Sequence, residues 1–334
     1  SLWQQVIFHE EYARSGAPTR VNHLGEELLG PTLIAFGTAE QQARFLPKIV
    51  AVEELWAQGY SEPDAGSDLA NVQTRARLEG SGATAEWVID GQKVWTSNAH
   101  LSQWAFVLCR TEPGSERHHG LSLLLVPLDQ DGVEVRPIEQ LTGGSEFNEV
   151  FLTGARTAAD LVVGAPGQGW QVAMALLGFE RGVSVLGQVV GFARELAGVV
   201  DLARESGAID DPVLRDRLAA LKVELDVLRF QALRGLAAGT RDDAAGPSIF
   251  KLVWANWHRR LGEVAMEVRG AAGLTAGAPG DADYQLDRWQ RLFLFSRADT
   301  IYGGSDEIQR NILAERVLGL PREPKGSNQR EAHR

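Results

Sequence analysis

One carboxylate inside a long apolar stretch is the residue of this chain best suited to moving a proton. From Gly169 to Phe192 the sequence reads GWQVAMALLGFERGVSVLGQVVGF, and its only ionisable residues are Glu180 and Arg181. A carboxyl group in apolar surroundings loses solvation, so its pKa rises toward neutrality and it becomes a candidate general base. Arg181 does not neutralise it along the helix, because neighbouring helical residues point about 100° apart. A salt bridge from Glu180 to another helix is the structural alternative. A second signal is the loop SEPDAGSD (Ser61–Asp68), whose small residues let backbone N–H groups approach a phosphate; the same residues also make an ordinary turn. His118 and His119 sit in the polar turn TEPGSERHHG, so no metal site is expected, and Cys109, in the apolar run WAFVLCR, is expected to be inert.

Elements of three kinds must position these groups. With 334 residues, 44% hydrophobic and 23% charged, the chain has the composition of a folded soluble protein, and the usual domain size of about 150 residues suggests two domains. A net charge of −11 opposes a nucleic-acid-binding role, and a single cysteine cannot form an internal disulfide. Neither end carries a targeting pattern, so a cytoplasmic location is expected. Segment 169–192 is long enough to span a bilayer, but its charged pair sits where insertion costs most, so no membrane span is expected; a helix inside a bundle fits better. There Gly178, Gly182, Gly187 and Gly191 would let neighbouring helices or a flat ligand approach closely.

Residues 1–55 carry apolar positions at helical spacing, with Thr38 as a candidate N-cap and Gln41 three residues later. Residues 56–165 change period to short β-branched and aromatic runs: NVQTRARL, AEWVI, GQKVWTS, WAFVLCR, LSLLLVP and VEVRPIE. Asp90-Gly91, between WVI and QKVW, predicts a type I′ hairpin. Helical periodicity returns over 166–320, with helices predicted near 168–205, 212–239, 247–272 and 284–302 and from Ser305 to about Leu318. Trp254, Trp257 and Trp289 fall at core-like positions, and the tail 321–334 has little to bury.

Three motifs in this order, SEPDAGSD, GQKVWTSNA (Gly91–Ala99) and IYGGSDEIQRNILAERVLGL (Ile301–Leu320), resemble the acyl-CoA dehydrogenase family over nearly the whole chain. The resemblance implies an α+β fold: N-terminal helices, a middle antiparallel β-barrel and a C-terminal four-helix bundle. The family's opening helices would be missing, so the sequence resembles a truncated copy. It further implies FAD as cofactor, an acyl-CoA substrate, electron-transfer flavoprotein as electron acceptor, and a homo- or hetero-oligomer, a tetramer above all. The wording is most similar to bacterial members of lipid and sterol side-chain catabolism.

Residue by residue, many members carry the base as the Glu of Y-E-G-T; here Tyr302-Gly303-Gly304-Ser305 puts Gly303 at that position. A minority carry it in a helix matching Phe179-Glu180-Arg181, which assigns the base to Glu180. Gly303 would then enlarge the acyl pocket, or merely make a turn. By the same resemblance Ser61 meets the isoalloxazine edge, Gly66 and Ser67 the pyrophosphate, Trp95 and Ser97 the flavin ring and its N5 region, and Ser305 the FAD through a helix N-terminus. Ser67 and Arg181 are also implied on the substrate side, Arg181 near the CoA diphosphate. The family's R-x-x-F-G-x-P segment has diverged to LARESGAIDDPVLRDRL, where Arg204 and Ser206 remain as candidates for a neighbour's FAD. Ser145 and Asn148 match the region that approaches the CoA arm. The divergence at Arg204–Ser206 supports an alternative, a non-catalytic partner subunit of a hetero-oligomeric acyl-CoA dehydrogenase.

Overall fold

Thr38 fixes where the third helix begins. Its hydroxyl accepts from the Gln41 amide while the Gln41 side chain accepts from the Thr38 amide, both at 3.2 Å, the reciprocal cap that the sequence predicts. Gln41 Nε2 also donates to the carbonyls of Asp160 and Val162, so one residue caps a helix and fastens it to the sheet.

The computed structural model describes residues 2–18, 20–180, 184–238, 245–276 and 285–322. The chain divides into two compact units, Ser1–Val190 with Ala276–Leu286, and Gly191–Thr275 with Asp287–Arg334. The first opens with α1 (Leu2–Ser15), a π-helical turn (Leu24–Leu29) that runs into α2 (Gly30–Phe36), and α3 (Ala39–Val50). Eight strands follow: β1 (Trp56–Gly59), β2 (Arg75–Glu79), β3 (Glu86–Ser97), β4 (Trp104–Arg110), β5 (Leu121–Pro127), β6 (Val133–Ile138), β7 (Phe147–Ala158) and β8 (Val162–Val163). They form one sheet in the order β6-β7-β3-β2-β4-β5-β8, antiparallel except that β1 runs parallel to β4 and β2 meets β4 at one parallel bridge.

WAFVLCR and LSLLLVP are nearly continuous apolar runs because β4 and β5 are covered on both faces. One face packs Phe106, Leu108, Leu123 and Leu125 against Leu33, Phe45 and Ile49 of the N-terminal helices. The other packs Val107, Cys109, Leu124 and Val126 against Ile89, Val150 and Leu152 of β3 and β7. Helix α4 (Gly169–Glu180) joins the first of these cores through Val172, Ala173 and Leu176. The apolar segment 169–192, expected inside a helical bundle, thus lays its first part against the sheet. Among the described residues no helix is long and apolar enough to cross a membrane. Of the four glycines expected to permit close approach, Gly187 does so, a Cβ there lying 3.3 Å from the His9 carbonyl oxygen; no described atom comes within 4 Å of one at Gly178 or Gly191, and Gly182 lies outside the described residues.

Asp90-Gly91 makes no hairpin. Both residues lie inside β3, which pairs with β2 as far as Asp90 and with β7 along most of its length. The Asp90 carboxylate is engaged by the Gly154 amide at 2.8 Å and by Arg77 at 2.8 Å, so it braces β7 and β2 instead of a turn. Gly91 is needed for proximity, since a Cβ there would come within 2.4 Å of Thr74 Oγ1.

The second unit gathers the chain from Gly191 onward: the later turns of α5 (Ser184–Ser206), then α6 (Pro212–Ala238), α7 (Gly246–Arg269), α8 (Arg288–Phe295) and α9 (Asp306–Ile312). Helix α7 buries Phe250, Trp254, Trp257, Leu261, Ala265 and Val268 at three- and four-residue spacing, and Trp289 of α8 is buried too, as core positions should be. The helix predicted over 284–302 is shorter. Asp287 caps it at the start, accepting from the amides of Trp289 and Gln290, and past Phe295 the chain tightens into a 3-10 turn at Ala298–Thr300. Most of the tail predicted to bury little, from residue 323 on, lies outside the described residues.

Candidate functional site

The last residues of β3 are turned out of line by a bulge. Lys93 pairs with Val150 and Thr96 with Asn148, so Val94 and Trp95 together oppose the single residue Glu149. Trp95 sits at φ +60, in the left-handed region that bulky residues avoid, and 57% of it is exposed, with only an edge contact to Phe147 at 6.2 Å between ring centroids. The Val94 amide donates to the Ser61 carbonyl at 2.9 Å, which joins this strand to the Ser61–Asp68 loop. Ser61 and Trp95 are thereby brought together near the end of β3, which Ser97 closes. Gly66 and Ser67 are exposed farther along the same loop, and a Cβ at Gly66 would meet no described atom within 4 Å, leaving open room over its backbone.

Near that end of β3 lies a buried ion pair that sequence reasoning passed over. Lys93 is fully buried and its ammonium donates to Glu62 Oε1 at 2.8 Å, to the Leu108 carbonyl at 2.8 Å and to the Tyr60 carbonyl at 3.1 Å. Glu62 also accepts from the amides of Gln73, at 2.6 Å, and Thr74, at 2.9 Å. Burial pushes the Glu62 carboxyl up, but Lys93 and these donors outweigh it and hold the group below the usual carboxylate range; burial in turn draws Lys93 below the usual lysine range. A period-two reading of Trp87, Ile89, Gly91 and Lys93 puts the lysine in phase with two core residues, and that was the available signal. Burial drives the Cys109 thiol up to about 12, so it carries no thiolate chemistry. Asn148, matched to the CoA arm, is wholly buried instead and donates to the Thr96 carbonyl at 2.9 Å, bracing the bulged strand; Ser145 is exposed.

Glu180 is the last residue of α4, and Arg181 lies outside the described residues. In the second unit Gly303 and Gly304 take successive positive φ values of 62° and 87°, a turn that glycine makes without strain. Ser305 caps α9, its hydroxyl accepting from the Ile308 amide at 3.4 Å, while Asp306 and Glu307 make that first turn acidic. Arg204 is exposed and pairs with Asp201, and the Ser206 hydroxyl is turned to the Ala203 carbonyl at the end of α5. Sequence reasoning missed a polar cluster that holds the Gly303 turn from behind. Tyr302 Oη donates to Asp299 Oδ1 at 2.7 Å, Asp299 Oδ2 meets His258 Nδ1 at 2.5 Å, and His258 Nε2 meets Glu195 at 2.9 Å. Burial alone would lower the His258 pKa, but the two carboxylates prevail and raise it to about 9, so the imidazole is a cation at neutral pH. Among the described residues no group of His, Cys, Asp and Glu side chains is arranged to hold a metal.

Comparison with known proteins agrees with this architecture. Residues 1–53, 57–155 and 167–318 match the N-terminal, middle and C-terminal domains of acyl-CoA dehydrogenase. The chain is 63% identical over 326 residues to the acyl-CoA dehydrogenase IpdE1 of Mycobacterium tuberculosis, covering 98% of this chain and 82% of that protein. Acyl-CoA dehydrogenase FadE34 of the same organism is 38% identical over 87% of this chain, a match that spans 39% of its own length. Among solved structures, the Tcur3481-Tcur3483 steroid ACAD superposes with a TM-score of 0.84 at 30% identity, covering 97% of this chain and 82% of that one. The ChsE4-ChsE5 complex from Mycobacterium tuberculosis gives 0.80 at 29% identity, covering 97% and 83%. Three domain matches in sequence order, together with 63% identity to a curated member, lead to one conclusion: the chain belongs to the acyl-CoA dehydrogenase family and is an oxidoreductase.

Proposed function

We propose that this chain catalyses the FAD-dependent α,β-dehydrogenation of an acyl-CoA thioester to a trans-2-enoyl-CoA, with Glu180 as the base that removes the α-proton. The observation that carries this reading is a pair of positions: Gly303 offers no side chain where many members carry the base, while Glu180 is the sole carboxylate of segment 169–192. FAD, when bound, supplies the acceptor for the hydride that leaves the β-carbon. The residues present fit such a group. Trp95 offers an exposed ring held outward at a backbone cost, Ser61 and Ser97 offer hydroxyls near the end of β3, and Gly66 leaves open room for a phosphate beside Ser67. Ser305 would add a contact at the start of α9, and Arg204 and Ser206 would face a neighbour's FAD in an oligomer. Arg181 would place a cation toward the CoA diphosphate. Electrons would pass to electron-transfer flavoprotein. The likeness to a steroid ACAD and to a two-component complex supports a bulky, sterol-derived acyl group and a hetero-oligomeric assembly, and Gly303 leaves room for such a group.

Purified protein is expected to show oxidised-flavin absorption that bleaches anaerobically on adding the right acyl-CoA, tested over a panel from short linear to steroid-sized thioesters. Glu180→Gln is expected to keep FAD and ligand while turnover falls by about 10²–10⁴-fold; an active variant would move the base elsewhere. A second reading, the non-catalytic partner subunit, draws on the diverged Arg204–Ser206 segment. It predicts FAD binding and turnover only after a partner chain is added, and no loss on Glu180→Gln. Protein that binds no FAD, alone or with a partner, would sink both.

A further inference from the structure

The Glu62–Lys93 pair occupies a position that packing alone does not explain. Each ammonium hydrogen of Lys93 has an acceptor and both Glu62 oxygens have donors, so the pair is fully satisfied. Such pairs contribute little net stability relative to apolar residues of similar volume, because desolvation offsets the attraction. What this one does is join segments. Glu62 exchanges backbone bonds with Ala65 at 3.1 Å, closing the first turn of the Ser61–Asp68 loop, and its side chain grips the chain at Gln73 and Thr74 leading into β2. Lys93 stands two residues before Trp95, at the foot of the bulge, and reaches the Tyr60 carbonyl just past β1 and the Leu108 carbonyl inside β4. Gly59 lies beside the lysine stem, and a Cβ there would press on Val107 Cγ2 at 3.1 Å.

We infer that Glu62 and Lys93 are positioning residues for the cofactor, a buried strut that fixes the Ser61–Asp68 loop against the Trp95 bulge and so sets the distance between the two segments that meet the flavin. The inference rests on the FAD reading above. Lys93 is fully buried and only 5% of the Glu62 side chain is exposed, so the pair acts through Ser61 and Trp95 and not by touching the cofactor.

The test replaces the charges without emptying the space. In Glu62→Gln/Lys93→Met, and in the milder Glu62→Asp, which keeps both charges and shortens the strut, three quantities are measured: amide hydrogen exchange without added flavin, the FAD dissociation constant, and the absorption spectrum and reduction potential of bound FAD. The expected result is at least about tenfold faster exchange confined to Ser61–Asp68 and Val94–Ser97, FAD binding weakened about tenfold or more, and a displaced spectrum and potential, at a melting temperature near that of wild type. Exchange, affinity and potential all equal to wild type would overturn the inference, as would accelerated exchange spread evenly through the sheet, the mark of a purely structural pair. If the double variant does not fold, the same readouts on Glu62→Asp decide. Wild-type protein that binds no FAD, alone or with a partner chain, would refute the proposed function, while the exchange measurement would still decide whether the pair couples the two segments.

Discussion

Trp95 shows local cost and placement in conflict. A left-handed backbone costs a non-glycine residue about 1–2 kcal/mol, and the exposed ring recovers little of that by burial. The edge contact with Phe147 returns about 0.5–1.5 kcal/mol, so the conformation is close to neutral for folding and its value lies in where it aims the ring. Trp95→Gly is therefore expected to unfold in denaturant within about 1 kcal/mol of wild type while its FAD affinity, read by fluorescence titration, falls at least about tenfold. Lost stability at unchanged FAD affinity would assign the ring to packing. Ser61, Trp95 and Ser97 could be proposed from the sequence because they stand inside motifs that resemble those of a family. Glu62 and Lys93, inside the same motifs, were not, because a strand lysine reads as a solvent-facing residue until its in-phase neighbours Trp87 and Ile89 are known to be core. Single-residue reasoning finds exposed groups inside a motif more readily than the buried pair beneath them.

At the scale of elements, the lesson concerns which signals outlast tertiary context. The Thr38–Gln41 cap held because both partners are three residues apart and no distant group competes. Asp90-Gly91 misled because the turn propensity is equally local, while Gly154, Arg77 and Thr74 come from strands far away in sequence. Helix α7 sits between these cases. Trp254, Trp257, Leu261 and Ala265 set its buried stripe, and His258 falls on that stripe, so its burial was readable; its partners Glu195 and Asp299, 63 and 41 residues away, were not. The pairing has a pH signature. The folded-state pKa of His258, about 9, lies above its unfolded value of about 6.5, so the imidazolium's stabilisation is fully present below about pH 6.5 and is lost as pH rises through 9. His258→Gln leaves Asp299 buried without its cation and is expected to cost about 3–5 kcal/mol near neutral pH. The gap between variant and wild type should then narrow from pH 7 to 9.5, as thermal melts at fixed ionic strength would report. A constant gap would mean that the histidine is neutral in the fold and serves by packing against Phe192 and Trp257.

For the molecule as a whole, the proposed function makes the flavin a stability term. A ligand that binds the folded chain alone adds RT ln(1 + [L]/Kd), about 2.7 kcal/mol when its free concentration is a hundred times Kd. A chain of 334 residues has a large unfolding entropy, so each kcal/mol moves the melting temperature by about 2–4 °C or less. FAD at that excess is therefore expected to raise the melting temperature of flavin-depleted wild type by several degrees, with the rise growing logarithmically with FAD concentration. The same titration on Glu62→Gln/Lys93→Met should follow a parallel line displaced to about tenfold higher FAD, since the strut is expected to change affinity and not the fold. The net charge of −11 adds a constraint of its own. FAD and CoA are both anionic, so the overall field opposes their approach, and attraction must come from local backbone donors and cations. Raising salt from low to moderate concentration should therefore weaken FAD binding little or even strengthen it. A steep loss of affinity with salt would instead point to a concentrated basic site, and the loop of Ser61–Asp68, with two aspartates and one glutamate, offers none.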